Sequence, residues 1–348
     1  METNYKEIAD KLNQKLNQRN SYWFYGQIRP LLAPLSRIIK TKDIQQLKFE
    51  KVDLSLGKMQ TLALEFFYDL DPDLEEMIGN VLEDVKNTTV FVGKPQEKSG
   101  RNSVGAKDCK IEISLHPKND TMGIVTVAHE FGHTSSQRIQ SKIKEKTDCI
   151  GEIESVFIEK IFADWLLKKG VISKDEREKM TIAWQNDFIW HARIICEEAY
   201  LLDRLKRPIT AESLQNLEKQ LEEEKRFGWL EILKHRIDIM INGDRFGKQP
   251  HGEYEFRYIV GEIVAQALYE DFKKDPKQTI ERYKNYLSHN SEYEFFKKKK
   301  CKRDDGKVVE NYVLDKSELD KCFVPLLGED YKQKLTRSLN DLEQTKTA

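Results

Sequence analysis

The chain lacks any run of eighteen apolar residues, any basic-then-apolar leader at its start, and any Cys-x-x-Cys pair. The first absence argues against a membrane-spanning helix, the second against an ordinary secretory signal. Its five cysteines, Cys109, Cys149, Cys196, Cys301 and Cys322, are scattered and odd in number. That speaks against a disulfide framework or a cysteine-built metal site, and for reduced thiols in a cytoplasmic setting. Delivery by a specialised secretion route is compatible with the same sequence. Net charge is also nearly missing: 58 Lys and Arg against 59 Asp and Glu leave a formal charge of -1. No global field therefore marks a nucleic-acid binder. There is no internal repeat, and nothing in the sequence sets an oligomeric state.

What is present is a 348-residue chain, 39% apolar and 34% charged, the balance of a helix-rich protein with a real core. Residues 1–46 read as helical, with breaks at Arg29-Pro30 and Ala33-Pro34, and helices follow at 54–68 and after Asp71-Pro72-Asp73. In the last of these Leu74, Met77, Ile78, Val81 and Val85 recur at helical spacing. Thr88–Val92 is β-prone, Gly93 to Gly105 reads as a polar loop, and Lys110–Leu115 alternates strictly, so Ile111, Ile113 and Leu115 face one way. Asn119-Asp120-Thr121 offers a cap for a helix that is apolar on most faces, as a buried helix is. Further helices are expected at 148–169 (closed by Gly170), 174–206, 210–224, 226–242 and 252–273, with short ones to the end.

The buried helix carries His129-Glu130-Phe131-Gly132-His133. Histidines four apart lie on one face, one turn from each other, and can hold one zinc ion. The glutamate between them can act as general base on a water at that ion. Catalytic zinc needs a third protein ligand. No histidine or cysteine follows at short range, but the next helix offers Glu152, Glu154 and Glu159. Glu152, Ser155 and Glu159 share one face, and Glu154 points roughly the other way. Glu152 is the expected third ligand, and Glu159, two turns on, is placed to orient a histidine.

His129–His133 followed by Glu152-x-x-Ser155-x-x-x-Glu159 resembles the thimet oligopeptidase and oligoendopeptidase F family of zinc peptidases. The resemblance takes in Lys98-Ser99-Gly100, the strand Ile111–Ser114 and the lead-in Ile124–Ala128. Downstream it takes in Pro208–Leu214 and His251–Gly261. It covers roughly residues 60–340. It implies a mainly α, helical zincin-type metallopeptidase with a small β-sheet at the active-site cleft. It divides the chain into a helical segment at 1–60, a reduced lid, and a catalytic part at 61–348. It also implies that His251, Tyr254 and Tyr258 donate to the developing oxyanion, with His235 a rival to His251. Tyr254 and Tyr258 lie four apart on one helix; packing tyrosines would show the same spacing.

The expected activity is zinc-dependent hydrolysis of oligopeptides or extended protein segments, with no nucleic-acid or membrane partner. The Ile111–Leu115 strand could take a peptide by strand addition, or be an edge closed off by Lys110 and Glu112. The short N-terminal part implies a more open cleft. Two readings of another kind stand beside this one. One is a peptide-binding protein that retains a zinc site, which has no need of Glu130; the other is a regulatory protease with one dedicated substrate. The basic run Lys297–Arg303 reads as solvated charge, since no aromatic stacking platform accompanies it.

Overall fold

The computed structural model describes residues 4–18, 34–39, 44–84, 86–92, 100–104, 111–115, 117–140, 152–205, 208–223, 251–289, 296–302 and 308–344. In chain order their elements are helices α1 (Tyr5–Gln18), α2 (Leu56–Leu70) and α3 (Pro72–Glu83), then strands β1 (Thr88–Val92), β2 (Gly100–Val104) and β3 (Ile111–Leu115). Helices α4 (Thr121–Gln140), α5 (Ile153–Lys168), α6 (Lys174–Arg204), α7 (Ala211–Glu223), α8 (His251–Lys274) and α9 (Pro276–His289) follow. A hairpin of β4 (Phe296–Lys302) and β5 (Val308–Leu314) precedes α10 (Lys316–Leu327) and α11 (Tyr331–Gln344). The fold is mainly α with small sheets, as the resemblance implied. The helix expected at 226–242, with His235, lies outside the described residues.

Two compact units divide the chain. One comprises Met1–Lys42, Ile189–Arg257 and Phe296–Leu314; the other comprises Asp43–Phe188, Tyr258–Phe295 and Asp315–Ala348. Residues 1–42 thus belong to the first and 43–60 to the second. In the first unit α1 packs on α7, and Leu12 of the one and Leu214, Leu217 and Leu221 of the other are buried. Asn13 ties the two ends together, donating to the Ile209 carbonyl at 2.7 Å and accepting from Ile209 N–H at 3.0 Å.

The part of the basic run from Lys297 to Lys302 lies in this unit within β4, for which the sequence reading named no element: β4 pairs antiparallel with β5 from Phe296↔Leu314 to Lys302↔Val308. The available signal was Asp305-Gly306 between two strand-length runs, a hairpin dipeptide. Lysines at an edge strand discourage pairing with other chains.

The second unit holds the histidine motif. Its local structure follows from its caps. Ser55 accepts from Lys58 N–H at 3.3 Å and opens α2, while Asp71, followed by Pro72 at the first helical position, accepts from Asp73 and Leu74 N–H and opens α3. The apolar faces of α2 (Met59, Leu62, Ala63, Phe66, Phe67) and α3 (Leu74, Ile78, Val81) are buried, and both helices pack on α4. At about 1.5–3 kcal/mol per buried large apolar side chain, these faces are what keep the helices folded.

The sheet order is β1-β3-β2, with β1 parallel and β2 antiparallel to β3. Ile113 and Leu115 are fully buried, as the alternation requires. Two expectations fail here. Residues 100–104 are strand, not loop: a polar, glycine-led sequence was recruited by pairing with β3. And β3 is the central strand. Both its edges are already hydrogen-bonded to neighbours, so neither peptide addition to it nor its reading as a protected edge holds.

Candidate metal centre

Helix α4 is pinned at its start. Asp120 Oδ1 accepts from Gly123 N–H at 2.8 Å, and Thr121 N–H donates to the Glu50 carbonyl at 3.0 Å. The fully buried carboxylate of Glu176, on α6, accepts from the Thr121 hydroxyl and from Glu50 N–H. An anion at a helix N-terminus is favoured by the exposed amides and the macrodipole. Along the helix Ile124, Val125, Val127, Ala128 and Phe131 have no exposed surface. That burial sets the helix rotation, and the rotation aims His129 and His133 at the next helix.

That helix, α5, is buried on nearly every face from Ile153 to Ala163, and packs along α4. The close approach depends on Gly132: a Cβ there would stand 3.1 Å from the Ser155 Cα and 3.3 Å from the Glu154 carbonyl oxygen. Gly170, at φ +71°, closes the loop beyond α5 in the expected way.

At the junction Nε2 of His129 lies 3.6 Å from Glu152 Oε2, and Nε2 of His133 lies 3.5 Å from the same oxygen. The three donor atoms fall within 4.8 Å of one another and could hold a metal ion. Glu152 sits one residue before α5, at the N-cap position, with φ -105° and ψ -3° in the α region, and its carbonyl accepts from Val156 N–H at 3.1 Å. Ser155 Oγ donates to its carboxylate at 3.0 Å.

The opposite ring nitrogens meet carboxylates too. Nδ1 of His129 is 2.5 Å from Glu159 Oε1, as expected for an orienting group. Nδ1 of His133 is 3.6 Å from Glu154 Oε1. Glu154 therefore does not point away. It is 1% exposed, and Tyr286 donates to its Oε2 at 3.4 Å while Tyr283 donates to its backbone carbonyl at 3.2 Å. Helical spacing set it away from Ser155 and Glu159, but α5 is buried on nearly every face, so that side of the helix also meets protein. The available signal was an acidic residue among Ile153, Val156, Phe157 and Ile158, with no solvated face to occupy.

The charges of this cluster act on one another. Burial pushes the His129 imidazole down, but the charge and hydrogen bond of Glu159 outweigh it and hold it above the ordinary histidine value. Burial likewise opposes protonation of His133, and Glu152 and Glu154 raise it well above that value. Glu152 is pushed up by burial yet drawn down to about 2 by His133, His129 and Ser155. Glu130 is 4% exposed; its burial raises it above the ordinary carboxylate value although both histidines pull it down.

Of the remaining predicted residues, Tyr258 is half-buried on α8 and belongs to the same unit as the histidines. His251 and Tyr254 lie in the first turn of α8, in the other unit, and their side chains lie outside the described set. Two charged residues escaped the sequence reading altogether: Lys160 Nζ and Glu262 Oε1 are 2.5 Å apart, with side chains only 4% and 8% exposed.

No family model matches the chain. In sequence it is 24% identical over 239 residues to oligopeptidase PepF of Bacillus subtilis strain 168, a match covering 64% of this chain and 34% of that protein. In structure it superposes on a protein described as an oligoendopeptidase F from Bacillus anthracis strain Ames, with a TM-score of 0.53 at 13% identity, covering 98% of this chain and 56% of that one. The fold is that of the oligoendopeptidase F peptidases. A protein described as a peptidase, from Chlamydophila abortus, shares it with a TM-score of 0.50 at 13% identity, over 97% of this chain and 55% of that chain. The chain thus matches about a third of its curated oligopeptidase relative and spans little more than half of each solved structure. No helix among the described residues is long and apolar enough to cross a membrane.

Proposed function

We propose that this chain is a zinc-dependent endopeptidase acting on oligopeptides or extended protein segments. The observation that carries the reading is the convergence of His129 Nε2 and His133 Nε2 on one oxygen of Glu152, with buried Glu130 between the histidines in sequence. The likeness to oligopeptidase PepF supports the substrate class.

The donor set suits zinc. With zinc–ligand bonds of about 2.0–2.1 Å, neighbouring ligands of a tetrahedral site stand about 3.4 Å apart; the two separations to the Glu152 oxygen are 3.6 and 3.5 Å, and all three donor atoms lie within 4.8 Å of one another. Two imidazoles and one carboxylate are the three protein ligands that a catalytic zinc would need, with water or substrate completing the set. Held by His129, His133 and Glu152, the ion would polarise a carbonyl and bring the pKa of water towards neutrality.

The chain's own residues do the rest. Glu159 and Glu154 face the Nδ1 atoms, which fixes the tautomer that presents each Nε2 lone pair. Ser155 steadies Glu152. Glu130 takes a proton from the attacking water and returns it to the leaving amine; its raised proton affinity suits a group that must both accept and release. Tyr258, Tyr254 and His251 are the proposed donors to the oxyanion.

The test is mass spectrometry of a diverse peptide mixture incubated with the zinc-loaded protein, beside a Glu130→Ala control. Cleavage by the wild type alone is expected. A zinc-loaded wild type that cuts nothing sinks the proposal in favour of a binding protein or a single-substrate protease.

A further inference from the structure

We propose that Gly261 is the positioning residue of Glu152: the glycine surface of α8 sets where this carboxylate meets the two histidines. The inference rests on the metal-site reading and adds an element that carries no ligand itself.

Glu152 needs an external support. It precedes the first turn of α5, and its side chain makes no capping bond. Ser155 steadies its carboxylate and also donates to its carbonyl at 3.3 Å, and Val156 N–H donates to that carbonyl at 3.1 Å. Those bonds come from one flank only. On another flank stands Gly261. A Cβ at that position would lie 2.7 Å from the Glu152 Cβ, 3.0 Å from its carbonyl carbon and 3.2 Å from its carbonyl oxygen. Side-chain carbons do not come that close in folded proteins, and the atoms met are not a flexible tip. They are the root of the ligand side chain and its backbone, so any added carbon moves the ligand.

The residue next to Gly261 explains why α8 does not simply lift away. Glu262 Oε1 is 2.5 Å from Lys160 Nζ, and Lys160 adjoins Glu159, the partner of His129. Lys160 Nζ also lies 4.7 Å from the centre of the Trp184 ring. Buried pairs contribute little net stability, and their best-attested use is registry. Here the pair locks α8 to α5 beside the contact between Gly261 and Glu152. Lys160→Met with Glu262→Met removes the lock without leaving a buried charge.

The experiment compares wild type, Gly261→Ala, Glu152→Ala and Gly79→Ala for zinc affinity, by competition with a chromophoric chelator, and for the visible spectrum of the cobalt(II) form. Position 79 has no atom nearer than 4.0 Å to an added Cβ and serves as the control. Gly261→Ala should bind zinc about 10–100-fold more weakly, its cobalt spectrum moving towards that of Glu152→Ala, while Gly79→Ala matches wild type. Wild-type affinity and spectrum in Gly261→Ala overturn the inference alone. A wild type that takes up neither metal overturns the metal-site reading, and this inference with it. If circular dichroism shows Gly261→Ala unfolded, the Lys160→Met/Glu262→Met protein decides: threefold or more weaker zinc binding supports the inference, and unchanged binding overturns it.

Discussion

Glu159 Oε1 lies 2.5 Å from His129 Nδ1, the shortest carboxylate–imidazole contact of the candidate centre. A carboxylate there holds the ring in one orientation with Nε2 free to ligate. Glu159→Gln keeps the shape and removes the charge. We expect about 10–100-fold weaker zinc binding, with helix content unchanged. Chelator competition gives the first quantity and far-ultraviolet circular dichroism the second; undiminished affinity would make Glu159 a mere packing group.

Glu154 faces His133 from 3.6 Å, beyond hydrogen-bond length, so its hold on that ring is electrostatic. Glu154→Gln should therefore weaken zinc binding less than Glu159→Gln does, by about tenfold or under. The same titration ranks the two, and the opposite order would refute the assignment.

The imidazoles of His129 and His133 hold protons above the ordinary histidine value, and Glu152 is ionised down to about 2. A raised folded-state value stabilises the metal-free protein fully below about pH 6.5, and that contribution fades as pH rises through the raised values. Zinc must displace those protons, so its affinity should climb from pH 6 to pH 8 and binding should release protons. Calorimetry in buffers of different ionisation enthalpy measures the release. Zinc binding with no proton release at pH 7 would contradict it.

Gly132 lets α4 and α5 touch: a Cβ there would stand 3.1 Å from the Ser155 Cα. Alanine normally favours a helix over glycine by about 1 kcal/mol. Here overpacking should reverse the sign, so that Gly132→Ala costs about 1–3 kcal/mol. Gly79→Ala, with open space around it, should gain about 0.5–1 kcal/mol. Urea unfolding of the two variants reads both signs; a stabilised Gly132→Ala would show that the helix contact is softer than the distances say.

What the sequence determined by itself is what local rules govern. The four-residue spacing of His129 and His133, the cap at Asp120, the apolar surround of α4 and the alternation through Ile113 and Leu115 all follow from neighbours a turn or a pleat away. The same short-range pattern put Glu152 and Glu159 on the histidines' side, where the structure has them beside His129. The tertiary structure decided what depends on contacts between distant segments. Strand pairing made β2 out of a polar, glycine-led stretch and put β3 in the middle of its sheet. Helix packing turned Glu154 inward, paired Lys160 with Glu262 across 102 residues, and set Gly261 against Glu152. No periodicity along the chain reports such contacts, since they are fixed by which surfaces exclude water together and by how closely two backbones can approach.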